Sequence, residues 1–229
     1  MTSFRDYSDT YEAEVEHAIR FIGQGVDLFT EVKAAEILRI ARRWLGPTER
    51  LAFLDVGCGP GVTDAHLTPH VAHLTGVDPS PELIERAARD NPDASYVVSD
   101  GRTLPFPDGS FDLAFAICVV HHVPPAGWDA FAAELARVTR PGGLALIAEH
   151  NPANPLTRLA VARCEFDGDA VLLGPKRAVA LLEGAGLRIV SRRYILFLPW
   201  RRRAFRWIER YLTRLPLGAQ YIVVGTPTG

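Results

Sequence analysis

The segment Leu54-Asp-Val-Gly-Cys-Gly-Pro-Gly61 constrains this chain more than any other. An apolar run stops at three glycines in alternate positions, Gly57, Gly59 and Gly61, and a helical pattern starts directly behind them. Glycine serves where the backbone takes positive φ, or where a ligand approaches with no Cβ in the way. The segment therefore reads as a strand-to-helix turn that presents main chain to a ligand, or, more plainly, as a tight turn. The surrounding pattern fits such a turn. Short apolar runs at Leu51–Gly57, Val71–Asp78, Ser95–Asp100, Phe111–Val120 and Leu144–Glu149 alternate with helical stretches beginning near Val62, Pro81 and Trp128, and Arg140-Pro-Gly-Gly closes the fourth connection. Continuous apolar strands alternating with helices predict a parallel sheet covered on both faces.

Two carboxylates sharpen the reading of the loop. Asp78 ends the second strand 21 residues after Gly57, where a carboxylate can accept both hydroxyls of a ribose. Asp100 ends the third strand in Ser-Asp-Gly, placed to accept the amino group of an adenine. Three successive strands thus bring glycine backbone, a ribose acceptor and a base acceptor to one edge, which describes an adenosine site. The spacing differs from Gly-x-Gly-x-x-Gly, and Asp55 puts negative charge where a diphosphate would be repelled. A cation suits that field better, such as a ligand carrying an amino group and a sulfonium centre.

Outside this core the pattern changes. Apolar spacing predicts an amphipathic helix from about Phe21 to Trp44, ended by Gly46-Pro47. A helix over Pro175–Glu183, a strand over Leu187–Phe197, an arginine-rich helix and a last strand over Gln220–Val224 complete the chain. The reading is one domain over 1–229: a helical arm at 1–46, a core at 50–150, a loop-rich substrate side at 150–174, and C-terminal strands with a basic helix at 175–229. The formal charge of −2 gives no overall attraction to polyanions, and the three cysteines, Cys58, Cys118 and Cys164, form no Cys-x-x-Cys pair. Nucleic acid is not expected as a partner, and a reduced cytoplasm is the expected location. No apolar run approaches a membrane span, and the first nine residues lack a signal-peptide core. The average hides a contrast: residues 197–217 carry net +5 and leave −7 on the remainder. A solvated helix face is the plain reading of that basic strip, with Arg201–Arg203 as a site of weak peripheral membrane contact.

The chain resembles the class I S-adenosylmethionine-dependent methyltransferases, in the type 11 group similar to ubiquinone/menaquinone-biosynthesis enzymes. The resemblance runs through the glycine loop, Gly76-Val-Asp-Pro-Ser-Pro-Glu-Leu83, the stretch Asp100–Asp112, Val119-Val-His-His-Val123 and Leu135–Gly143. It implies a Rossmann-like three-layer sandwich with a seven-stranded, mostly parallel sheet whose last strand is antiparallel. It also implies S-adenosylmethionine as cofactor: Asp78 for the ribose, Asp100 with Gly101 for the adenine, Gly57 and Gly59 for the amino-acid moiety, Asp55 and Pro79 beside them, and a Cys118 carbonyl near the methionine. The segments Glu149–Thr157 and Leu215–Tyr221 resemble a bacterial subset without a defined substrate.

Methyl transfer from a sulfonium is an in-line displacement in which alignment can supply roughly 7–11 kcal/mol. A base is needed only for a protonated acceptor. His122 first, then His121 and His150, stand where an imidazole could serve as that base, or where it could simply pack. Glu149 is expected to orient His150, bind substrate or shape its loop, and Tyr11, with Tyr7, to act from the arm as a lid or surface anchor. His66, His70 and His73 have a superficial metal-ligand spacing, but Pro69 interrupts their helix, and no metal is expected. The expected function is methyl transfer to O, N or C of a small-molecule metabolite. A non-catalytic cofactor-binding regulator and a nicotinamide-dependent oxidoreductase are the alternatives. A nucleic-acid methyltransferase is disfavoured because neither a Pro-Pro-aromatic motif nor a Pro-Cys nucleophile is present.

Overall fold

The computed structural model describes residues 11–20, 25–197 and 212–228. Arg201–Arg203, most of the basic helix and Tyr7 lie outside the described residues. In chain order the elements are α1 (Tyr11–Ile19), α2 (Val26–Trp44), β1 (Ala52–Val56), α3 (Asp64–Leu67), β2 (His73–Asp78), α4 (Pro81–Asp90), β3 (Ser95–Val98) and β4 (Phe111–Ile117). They continue through α5 (Trp128–Val138), β5 (Thr139–His150), α6 (Pro155–Arg163), α7 (Pro175–Gly184), β6 (Leu187–Ile195) and β7 (Gln220–Pro227).

The strands form one seven-stranded sheet in the order β3-β2-β1-β4-β5-β7-β6. All neighbours among β1 to β5 are parallel, and β7 runs antiparallel to both β5 and β6. This is the Rossmann-like arrangement expected. Period-two alternation explains the layers. Leu54, Ala114, Ala116, Ala145 and Ile147 point to the face covered by Trp128, Ala132 and Leu135 of α5 and Leu181 and Leu182 of α7. Phe53, Leu113, Phe115, Leu144 and Leu146 point to the opposite face, covered by Ala34, Ile37, Leu38 and Ala41 of α2. Burying each such leucine or phenylalanine contributes roughly 1.5–3 kcal/mol, so strand register is fixed from both sides.

Several boundaries differ from the sequence reading. β4 stops at Ile117 because Cys118 takes φ 56°, a left-handed conformation rare for a residue with a Cβ, and Val120–His122 then form a 3-10 turn. β5 starts at Thr139, before the expected Leu144, since Thr139 pairs with Phe111 ahead of an irregularity in the ladder. The region expected as loop after His150 contains α6. Asn154 Oδ1 accepts from the Leu156 and Thr157 backbone N–H groups (2.9 and 3.1 Å), and Pro155 occupies the first helical turn. An Asn-Pro step thus caps and starts a helix where proline needs no donor. Among the described residues, no helix is long and apolar enough to cross a membrane.

Candidate functional site

β1 pairs with β2 on one side and β4 on the other. The chain reverses its direction of travel across the sheet there, so a crevice opens beyond the carboxyl ends of β1 and β4, the usual ligand position in open α/β sheets. A cavity of about 1140 Å³ occupies that crevice. It is lined by Gly57, Cys58 and Gly59 after β1, Asp78 and Pro79 after β2, and Asp100 and Gly101 after β3. Cys118, His121 and His122 line it after β4, and His150 after β5.

The loop glycines have distinct geometric reasons. Gly57 has φ 77°, and a Cβ there would lie 2.6 Å from Val119 Cγ2, inside any tolerable contact. Gly59 has φ 54°, and a Cβ there would meet nothing within 4 Å, so its open side is available to a ligand. Asp78 ties the loop to β2: Oδ2 accepts from Gly59 N–H (3.0 Å) and Oδ1 from Ser80 N–H (2.9 Å). Burial raises the Asp78 carboxyl above its ordinary value, with the two backbone N–H groups opposing. Asp100 is exposed; its Oδ1 accepts from Arg102 and Thr103 N–H (both 2.8 Å), and these bonds hold its carboxyl below the ordinary value.

Beneath the loop lies a pair that sequence reasoning did not assemble. Asp55 and Asp64 are both buried, at 3% and 0% exposure. Burial raises both carboxyls, and the charge of Asp64 raises Asp55 further. Asp64 is pushed up to about 6, while Tyr96 Oη donates to its Oδ2 (2.9 Å). Burial thus favours the neutral form of both carboxyls beneath the loop.

On the other side of the cavity stands a histidine cluster. His121 is 1% exposed, with Nδ1 2.6 Å from Glu149 Oε2. Glu149 Oε1 also accepts from Val119 and Val120 N–H (3.0 and 2.7 Å), holding the start of the 3-10 turn. Trp128 Nε1 fixes the same turn by donating to Val120 O and Val123 O (2.9 and 2.8 Å). Burial opposes charge on His121, but the Glu149 carboxylate outweighs it and raises the imidazole well above its ordinary value. Burial and then the charge of His121 push His122 and His150 each down to about 4, well below an ordinary imidazole. Glu149 is itself buried at 1% exposure and engages His121 rather than the His150 ring.

Asp167, which the sequence reading did not single out, joins this cluster. Its Oδ1 lies 3.5 Å from His121 Nε2 and 3.3 Å from His122 Nε2. It stands 46 residues beyond His121, so no local spacing signalled it. Lys33 of α2 also lines the cavity, its one sequence signal being that only two lysines occur in the chain. Tyr11 opens α1, and its side chain is outside the described residues. His66 faces Thr30 Oγ1 of α2 (3.4 Å), whereas His73 opens β2.

The two segments resembling a bacterial subset meet in space. Asn151 Nδ2 donates to Pro216 O and Gly218 O (3.1 and 2.8 Å), and Asn154 Nδ2 to Leu217 O (2.7 Å). They form one buttress behind His150 and Gln220.

Comparison with known proteins agrees with this architecture. Residues 54–147 match the family model described as a methyltransferase domain. An uncharacterized methyltransferase of Synechocystis sp. is 36% identical over 115 residues, covering 47% of this chain and 54% of that protein. A demethylmenaquinone methyltransferase of Beutenbergia cavernae is 34% identical over 132 residues, covering 56% and 54%. The chain thus spans about half the length of the curated relatives it matches. An S-adenosylmethionine-dependent methyltransferase from Thermotoga maritima superimposes with TM-score 0.69 at 19% identity over 98% of each chain, which shows a common fold. The fold is thus shared with solved S-adenosylmethionine-dependent methyltransferases.

Proposed function

We propose that this protein transfers a methyl group from S-adenosylmethionine to an oxygen, nitrogen or carbon of a small molecule. The observation that carries the reading is the convergence of Gly57–Gly59, Asp78 and Asp100 from three successive strand ends on one cavity, with Gly59 open on its ligand side. Those residues fit the cofactor. Asp78 would accept the ribose hydroxyls, Asp100 with Gly101 and Pro79 would hold the adenine, and the Gly57 and Gly59 backbone with Asp55 and the Cys118 carbonyl would hold the amino-acid portion. S-adenosylmethionine supplies a methyl on a sulfonium sulfur, already activated for displacement.

The chain's own contribution is alignment and exclusion of water. Val15, Leu28, Phe29, Phe131, Leu156 and Val161 give the cavity an apolar wall, suited to an acceptor with an apolar body. The quinone-related name of one relative is consistent with such an acceptor. His122, His121 and His150 occupy the acceptor side, where Tyr11 on the arm is a further substrate candidate, and Glu149 acts by holding His121. Incubation with radiolabelled S-adenosylmethionine and a metabolite extract tests the reading. It predicts label in a small apolar product, lost in Asp78→Ala. Label absent from every small-molecule fraction would contradict it.

A further inference from the structure

Three segments distant in sequence bring nitrogen and oxygen ligand atoms to one point on the cavity wall. His121 comes from the turn after β4, His150 from the end of β5, and Asp167 from the 3-10 turn Glu165–Asp167 after α6. One ligand atom from each lies within 4.8 Å of the other two. Two of these atoms, His121 Nε2 and Asp167 Oδ1, are buried and face one another at 3.5 Å, too far apart for a good hydrogen bond. Protonated, the imidazole faces the carboxylate as a long ion pair; a cation that displaces the Nε2 proton meets the same two atoms.

The spacing of the two atoms suits a metal ion between them. Ligands bound at about 2.0–2.1 Å around a tetrahedral ion stand about 3.3 Å from each other, close to the observed 3.5 Å. The surroundings match as well. Glu149 Oε2 takes Nδ1 of His121 at 2.6 Å, which turns Nε2 inward and fixes the ring. A carboxylate on the outer nitrogen is the usual support of a metal-bound imidazole. The Gln220 amide abuts His150 Nδ1 at 3.5 Å, and His122 Nε2 lies 3.3 Å from Asp167 Oδ1 beside the same point.

We propose that His121, His150 and Asp167 form a site for a divalent cation of the zinc type on the acceptor side of the cavity, with a fourth position open to an oxygen of the acceptor. Two imidazoles and one carboxylate suit zinc or its neighbours rather than calcium or magnesium. A set of three protein ligands leaves the open position that a substrate oxygen takes. The acceptor's part in this rests on the methyl-transfer reading; the metal site itself does not. It narrows the acceptor to a molecule presenting a hydroxyl or carboxylate oxygen beside the transferred methyl.

The test titrates chelator-treated full-length protein with Zn²⁺ by calorimetry and with Co²⁺ by visible absorption. S-adenosylhomocysteine is titrated into the same samples. Wild type is expected to take one equivalent of metal and to give the intense visible bands of four-coordinate Co²⁺. Asp167→Asn and His150→Gln are each expected to weaken metal binding by about 100-fold or more while binding S-adenosylhomocysteine as wild type does, which shows that they are folded. His73→Ala, altering a histidine outside the cluster, is expected to leave metal binding unchanged. Absence of saturable one-to-one binding in wild type, or equal metal affinity in both ligand variants, would overturn the site. Failure of wild type to bind S-adenosylhomocysteine would overturn the methyl-transfer reading and leave the metal titration standing.

Discussion

Glu149 Oε2 and His121 Nδ1 meet at 2.6 Å, both side chains 1% exposed, across the junction between β5 and the turn after β4. Burial works against charge on both groups. Their mutual attraction prevails, raising the imidazole and lowering the carboxyl, so the pair stands as a buried ion pair. Because Glu149 also accepts from the Val119 and Val120 N–H groups, it fastens to the sheet the turn that carries Val119 and both histidines. Removing one partner of a buried pair costs about 3–5 kcal/mol, since the other charge is left uncompensated. Glu149→Ala should therefore lower unfolding free energy by about that amount in urea denaturation. A loss below about 1 kcal/mol would mean the pair does not anchor the turn.

The two loop glycines should separate stability from binding. Gly57→Ala drives a Cβ into Val119 at positive φ, so it should cost about 1–3 kcal/mol of stability along with cofactor affinity. Gly59→Ala meets no protein atom within 4 Å; its stability cost should stay near the 1–2 kcal/mol of a left-handed alanine. Its methyl nevertheless enters the space assigned to the cofactor's amino-acid portion. Thermal melts paired with S-adenosylhomocysteine titration check this, and equal affinity loss per unit of stability in the two variants would contradict it.

Asp78 and Asp100 should differ in the same experiment. Asp78 is tied to Gly59 and Ser80, whereas Asp100 is exposed and braces only its own turn. Asp78→Ala should weaken S-adenosylhomocysteine by about ten- to a hundredfold, the range of one charge-assisted hydrogen-bonding group. Asp100→Ala should have the smaller effect and leave the melting temperature unchanged. Wild-type affinity in Asp78→Ala would show that the ribose acceptor lies elsewhere.

The Asp55–Asp64 pair gives a pH signature whose sign is fixed. Burial raises Asp64 from its ordinary 3.8 to about 6, so between those values the folded chain holds a proton that the unfolded chain releases. Stability from this group is full at the acidic end of the window and falls as pH rises through it. Asp64→Asn keeps an acceptor for Tyr96 and removes the titration. It should exceed wild type by about 1–3 kcal/mol at pH 7, the difference closing near pH 4. A variant destabilised by the same amount at both ends would contradict the account of a carboxyl raised by burial.

Much of the fold was legible because both sheet faces are buried. Phe53 with Leu54 and Phe115 with Ala114 had to be apolar in sequence, so β1, β4 and their neighbours appear as unbroken runs. The glycine loop was legible because positive φ and close approach to Val119 demand a residue without a side chain. Boundaries failed where one residue's conformation decides: Cys118 at φ 56° ends β4, and Asn154 turns an apparent loop into α6. The acceptor side was read less fully. His121, His122 and His150 were visible as residues, but their environment was not, because Asp167 joins them from a separate loop and Glu149 turns inward to His121. Local spacing carries no trace of such tertiary contacts.

Calorimetric titration of the wild-type protein with S-adenosylhomocysteine and, separately, with NADH tests the central claim most directly. The geometry of Gly57, Gly59, Asp78 and Asp100 predicts one saturable site for S-adenosylhomocysteine and none for NADH. Binding of NADH without S-adenosylhomocysteine would contradict it.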